Sequence, residues 1–205
     1  MSKKLIGVLC AVLLLTTSCQ VDSSAKNKIS ANKSEISGYI SSGIKRGDNK
    51  PFDFIVNGKA VTLPCKVNQL DKSFKVGDEP AMKDPYDEEA NYYILSYDDK
   101  NIGYVILSDE IENNDVQNTE IKGLVLKYGV EEEKNIKWTK KPPTLDFYGV
   151  HFNDNKEKVR EILGTPNEDG VMASKNFLSF GDIKQFGVSF VFADDQITDF
   201  RVKAR

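Results

Sequence analysis

The chain has 205 residues, 29% of them charged and 40% hydrophobic, with a net charge of −3 at pH 7. That apolar content excludes a chain too polar to build a core. The acidic balance excludes a sequence-independent binder of nucleic acid, whose affinity comes from a basic surface. The length predicts one or two small domains.

Ser2-Lys3-Lys4 forms a short positive leader, and an apolar run from Leu5 to Leu15 follows. The run fits a signal-peptide core and is too short to span a bilayer. The small residues Thr16-Thr17-Ser18 then precede Cys19, and this junction resembles a bacterial lipobox. The resemblance implies a signal peptide over 1–18, a diacylglyceryl group on Cys19, and a lipid-anchored protein on the extracytoplasmic face of the bacterial cell membrane. Two acyl chains hold a protein at a membrane where one does not. An ordinary secretory signal cut near Ser18 is the alternative. Removal of Cys10 and modification of Cys19 leave Cys65 alone, so the mature chain forms no intramolecular disulfide. Cys65 reads as a small buried hydrophobe.

Residues 19–50 are rich in Ser, Lys and Asn and read as a flexible tether. Within them Ile36, Tyr39 and Ile40 share a helical spacing that Gly38 and Gly43 weaken. Phe52 to Val56 and Lys59 to Leu63 flank Asn57-Gly58, the pair preferred in a type I′ hairpin turn. Pro64 stands at a predicted helix N1 position, and Val67, Leu70 and Phe74 give a short helical stripe. Lys75 to Ala90, with Gly77, Pro80, Pro85 and many acids, reads as a loop. Asn91 to Tyr97 and Ile102 to Ser108 form a second hairpin around Asp98-Asp99-Lys100-Asn101, and Glu120 to Tyr128 a further strand. Gly129 to Thr144, with Glu131-Glu132-Glu133 and Pro142-Pro143, reads as a linker.

Asn155 is a predicted N-cap. Val159, Ile162 and Leu163 line one helical face, Gly164 suits the residue after the helix, and Pro166 stops it. Strands are predicted at Phe177 to Phe180, Phe186 to Ala193 and Ile197 to Val202, with a tight turn at Asp194-Asp195-Gln196. Helix followed by three strands thus occurs twice, which predicts an α+β protein of two tandem units, 51–130 and 145–205, each a short helix on an antiparallel meander.

The second unit carries a family resemblance. Gly149, Asn155, Leu163-Gly164-Thr165-Pro166 and Asp194-Asp195 resemble the repeat of SmpA/OmlA outer-membrane assembly lipoproteins and of β-lactamase inhibitory protein (BLIP-like). The match spans residues 145–203, and the layout is also similar to small lipoproteins of low-GC Gram-positive bacteria. It implies the fold above and a module working on other proteins.

Catalytic constellations are not legible. One His, His151, and one free Cys leave no triad or common metal set. The acidic run Asp109, Glu110, Glu112, Asp115 lacks the glycine and terminal Glu spacing of a calcium loop. The reading is therefore a non-enzymatic, cofactor-free protein-binding or envelope-accessory lipoprotein, touching the membrane through its lipid and binding no nucleic acid. The alternative is a small envelope enzyme or wall-polymer binder using carboxylates. Tyr93, Tyr97, Tyr104, Trp138 and Tyr148 are the candidate binding residues, because Tyr and Trp are enriched at interfaces. Along the strands, Phe186, Val188, Phe190 and Phe192 share one face and Gly187, Ser189, Val191 and Ala193 the other. The second face is either a docking surface or buried between the two units.

Overall fold

A computed structural model describes residues 51–204 apart from 109, 110, 112–114, 130–134, 183 and 185. The signal peptide, Cys19, the tether, the Glu131 run and most of the 109–115 acidic run lie outside the described residues.

The first hairpin is β1 (Phe52–Val56) and β2 (Lys59–Leu63). Asn57 and Gly58 both take positive φ, 49° and 77°, as a type I′ turn requires. β3 (Cys65–Lys66) and a 3-10 turn at Val67–Gln69 follow. No α-helix forms here. Cys65 and Lys66 pair instead with Ile121 and Glu120, and Phe74 opens β4 (Phe74–Asp84). Sheet pairing and an Asx turn, in which Asp71 Oδ1 accepts the Ser73 N–H at 3.0 Å, override a three-residue helical stripe.

The expected loop over 75–90 is also corrected. It holds most of β4 and the start of β5 (Asp87–Tyr97). Pro80 is tolerated because β4 is an edge strand whose register shifts on both sides of that proline. β6 (Lys100–Ser108) and β7 (Glu120–Lys127) complete the first meander. After residue 135 the chain is packed rather than a free linker: Trp138 is buried and bridges Asn101, and β8 (Leu145–Asp146) pairs β1.

Helix α1 (Lys156–Leu163) forms as the sequence predicts. Asn155 Oδ1 accepts the Lys158 N–H at 2.9 Å, Gly164 sits at φ 88°, and Val159 and Leu163 are buried. Asn155→Ala should cost about 1 kcal/mol in urea unfolding. A loss below a few tenths would mean that packing alone holds the helix. β9 (Glu168–Met172), β10 (Lys175–Asp182), β11 (Phe186–Ala193) and β12 (Gln196–Lys203) close the chain.

The architecture is β-rich, not two α+β units. β7 pairs β12 antiparallel, so both meanders fuse into one sheet of order β4-β5-β6-β7-β12-β11-β10-β9, with β3 on β7. The three-stranded sheet β2-β1-β8 and α1 contribute to a single core against one face of it. There Phe52 stacks on Phe186 at 4.8 Å, and Phe147 meets Phe54, Phe190 and Phe200. Phe186, Val188, Phe190 and Phe192 all join this core, as alternation predicts.

Candidate functional site

The opposite face of the large sheet is where the structure departs from simple packing. Register places Ser179, Ser189, Arg201, Val125, Tyr104 and Ile94 side by side across six strands. A second row runs Phe177, Val191, Asp199, Lys127. Chain segments cover two parts of this face.

The first cover is the tip of the β4–β5 hairpin. Arg201, 6% exposed, donates from Nη2 to Asp84 Oδ2 at 2.9 Å and from Nη1 to the Tyr92 hydroxyl, and the Tyr86 ring stacks on its guanidinium at 4.8 Å. Lys203 Nζ reaches Asp84 at 3.6 Å and Asp87 at 2.6 Å. Burial alone would raise the Asp87 carboxyl, but the Lys203 hydrogen bond and charge hold it below its ordinary value. In register, Lys203 is flanked by Gly187 and Gly123, which bring no side chain of their own beside it. The second cover is the stretch carrying Ile136 and Trp138, which packs on Tyr104 and Tyr92. Tyr104 lies 5.0 Å from the Tyr92 ring and 4.9 Å from that of Trp138.

Between the covers and the β9 edge an open groove of about 1040 Å³ remains. Met82, Pro85 and Tyr86 line it from the hairpin tip, and Glu168 and Phe177 from the far edge. Val125, Ser189, Val191 and Arg201 belong to the central strands, beside the Lys127–Asp199 pair at 3.8 Å. Apolar area with a few placed polar groups is the usual make-up of a ligand site. Arg201 Nε and Ser179 Oγ, in the same row, are buried with no hydrogen-bond partner among the described residues.

The five aromatic residues singled out from the sequence do not line this groove. Tyr93 lies in the main core. Tyr148 does too, and its hydroxyl accepts the Asp53 N–H at 3.0 Å. Tyr97 is half-buried, edge-on to Phe74 at 5.2 Å. Tyr104 and Trp138 are buried in the outer cluster beside the groove. The groove residues that sequence reasoning missed are Tyr86, Tyr92, Phe177 and Arg201. Arg201 carried the one usable signal: it lies between Phe200 and Val202, on the face alternate to the core.

Chemistry elsewhere is muted. Burial, with Glu120 adding to it, pushes the Cys65 thiol up to about 11, so it stays protonated and unreactive at neutral pH. His151 is exposed, with Nδ1 3.5 Å from Asp154. Asp194-Asp195 form the β11–β12 turn, both at positive φ. Among the described residues, the carboxyls whose acidity departs from normal are Asp71, Asp87, Asp99, Asp115 and Asp169, and all are shifted down. Hydrogen bonds or cation partners cause each shift, the reverse of what a general acid needs. No family model, curated protein or solved structure matches the chain.

Proposed function

We propose that the chain is a lipid-anchored extracytoplasmic module that binds a segment of a partner protein in the outer-face groove and performs no chemistry. The observation that carries this reading is the groove itself. Its aromatic rings, Tyr86, Tyr92 and Phe177, sit among charges that nearly balance: Lys83, Lys127, Lys184 and Arg201 against Glu168, Asp182 and Asp199. Such a lining suits a mixed polypeptide better than a highly charged polymer. The Cys19 junction supports the anchor.

The test uses the full chain in its native membranes, with a photo-crosslinking phenylalanine analogue at Val191 in the groove or at Glu157 on the exposed side of α1. The expected result is a discrete heavier adduct at 191, absent at 157 and lost in Cys19→Ala, which should also leave the membrane fraction. Equal adducts at both positions would overturn the groove reading. Unchanged membrane retention and lipid labelling of Cys19→Ala would overturn the anchor.

A further inference from the structure

The large sheet has two edges, and they are built differently. β4 carries Pro80, register shifts and the charged residues Lys75, Asp78, Glu79 and Lys83, the usual means of blunting an edge against pairing. β9 has neither the proline nor the register shifts, although it too is charged, at Glu168 and Asp169. Its five residues pair with β10 in unbroken register, from Glu168 opposite Ser179 to Met172 opposite Lys175, and pair with no other described strand. Val171 on this edge is 68% exposed, the most conspicuous apolar side chain on the described surface.

The same edge opens into the groove. Glu168 and Phe177 line the groove, and the Phe177 ring lies over Gly170, where an added Cβ would sit 3.0 Å from Cε1. Gly170 therefore presents no side chain between the edge and the ring. A strand laid along β9 would place alternate side chains on the groove face, beside that ring.

Resting on the groove reading above, we infer that the partner supplies an extended segment that adds to β9 as a further strand. Main-chain hydrogen bonds give the affinity, and alternate side chains enter the groove. A second copy of this chain is a poorer occupant. Five residues extend only roughly 17 Å, and pairing of that length alone falls well short of the roughly 1,000 Å² of a stable interface. An extended segment gains further contact by running its alternate side chains into the groove. α1 also stands beside β9, with Lys156 and Arg160 on Asp169, so two copies pairing edge to edge would bring their helices together.

Main-chain recognition tolerates sequence, so a generic probe serves. A biotinylated octapeptide of alternating Thr and Val with lysine ends is photo-crosslinked to the full chain in membranes, with the reactive analogue at Val171, Phe177 or Glu79. A matched peptide N-methylated at every residue keeps the side chains and removes the donors on both edges. Expected are adducts at 171 and 177, little at 79, and a loss of about tenfold on N-methylation. Equal yield from both peptides, no adduct at 171, or equal labelling at 79 overturns strand addition. Labelling at 177 without 171 overturns it while leaving the groove reading intact. A dominant chain-to-chain adduct at 171 makes a second copy the occupant and overturns the proposal. The partner adduct at Val191, tested without this peptide, decides the groove reading separately.

Discussion

Asp84→Ala should destabilise the folded body by about 3–5 kcal/mol, because it leaves the Arg201 charge buried without its carboxylate partner. Asp84 is 3% exposed and accepts from Arg201 at 2.9 and 3.2 Å while Lys203 stands 3.6 Å away. In the variant, Asp87 still serves Lys203, but Arg201 is left with the Tyr92 hydroxyl and the rings of Tyr86 and Tyr92 and no carboxylate of its own. The hairpin tip then loses one of the two ion-paired carboxylates that fix it over the sheet, and the groove wall it supplies loosens. Urea unfolding measures the first effect, and the Val191 adduct, expected to weaken, measures the second. Replacing both partners, Asp84→Leu with Arg201→Met, should recover most of the stability, since removing a buried pair together is far milder than orphaning one member. It should not restore the adduct if the ionic tip positions the groove wall. A loss below about 1 kcal/mol in Asp84→Ala would mean that the tip is held by ring packing instead. Acid acts on the same place. The folded Asp87 carboxyl lies below its unfolded value, so its contribution is complete above the ordinary carboxylate pKa and fades as pH falls through the folded one. Loosening of the tip is therefore expected on the acid side of about pH 4.

Local features were legible where one residue type meets one backbone demand. Asn57-Gly58, Asp98-Asp99 and Asp194-Asp195 all sit in turns at positive φ, and the Asn155 cap and Gly164 stop delimit α1. Alternation in β11 assigned its core and outer faces correctly. What failed was the assembly of parts. The β7–β12 pairing that fuses the meanders joins residues about 72 to 80 positions apart, from Asp199 with Lys127 to Lys203 with Gly123, and nothing in either strand alone marks the other as its neighbour. Pro80 argued for a loop and in fact marks an edge. Val67, Leu70 and Phe74 fit a helical period but are divided between a 3-10 turn and a strand, because β3 has a partner in β7. The site escaped for a related reason. Tyrosines drew attention as interface residues, yet Tyr93 and Tyr148 fill the core. The groove depends on which strands neighbour one another, and on a hairpin tip read as loop.

Phe147→Ala should be as damaging, at about 3–5 kcal/mol, and it tests how the two sheets depend on each other. Phe147 is fully buried, and its ring touches those of Phe52 and Phe54 on β1, Tyr148 beside it, and Phe190 and Phe200 on the large sheet. Truncation removes the one ring among the described residues in contact with all of these at once. For a body of this size the midpoint should fall by roughly 2–4 °C per kcal/mol. Phe147→Leu retains much of the volume and should lose about half as much or less. The molecule carries an internal reporter for the outcome. Trp138, its single tryptophan, sits on the far face of the first meander, in a cluster separate from the Phe147 core. If the fused sheet makes one cooperative unit, Trp138 fluorescence and far-UV circular dichroism shift together, although the cavity lies on the other side of the sheet. Two separated transitions, with Trp138 holding its wild-type midpoint, would show that the first meander folds independently and that β7–β12 pairing joins the halves without coupling them.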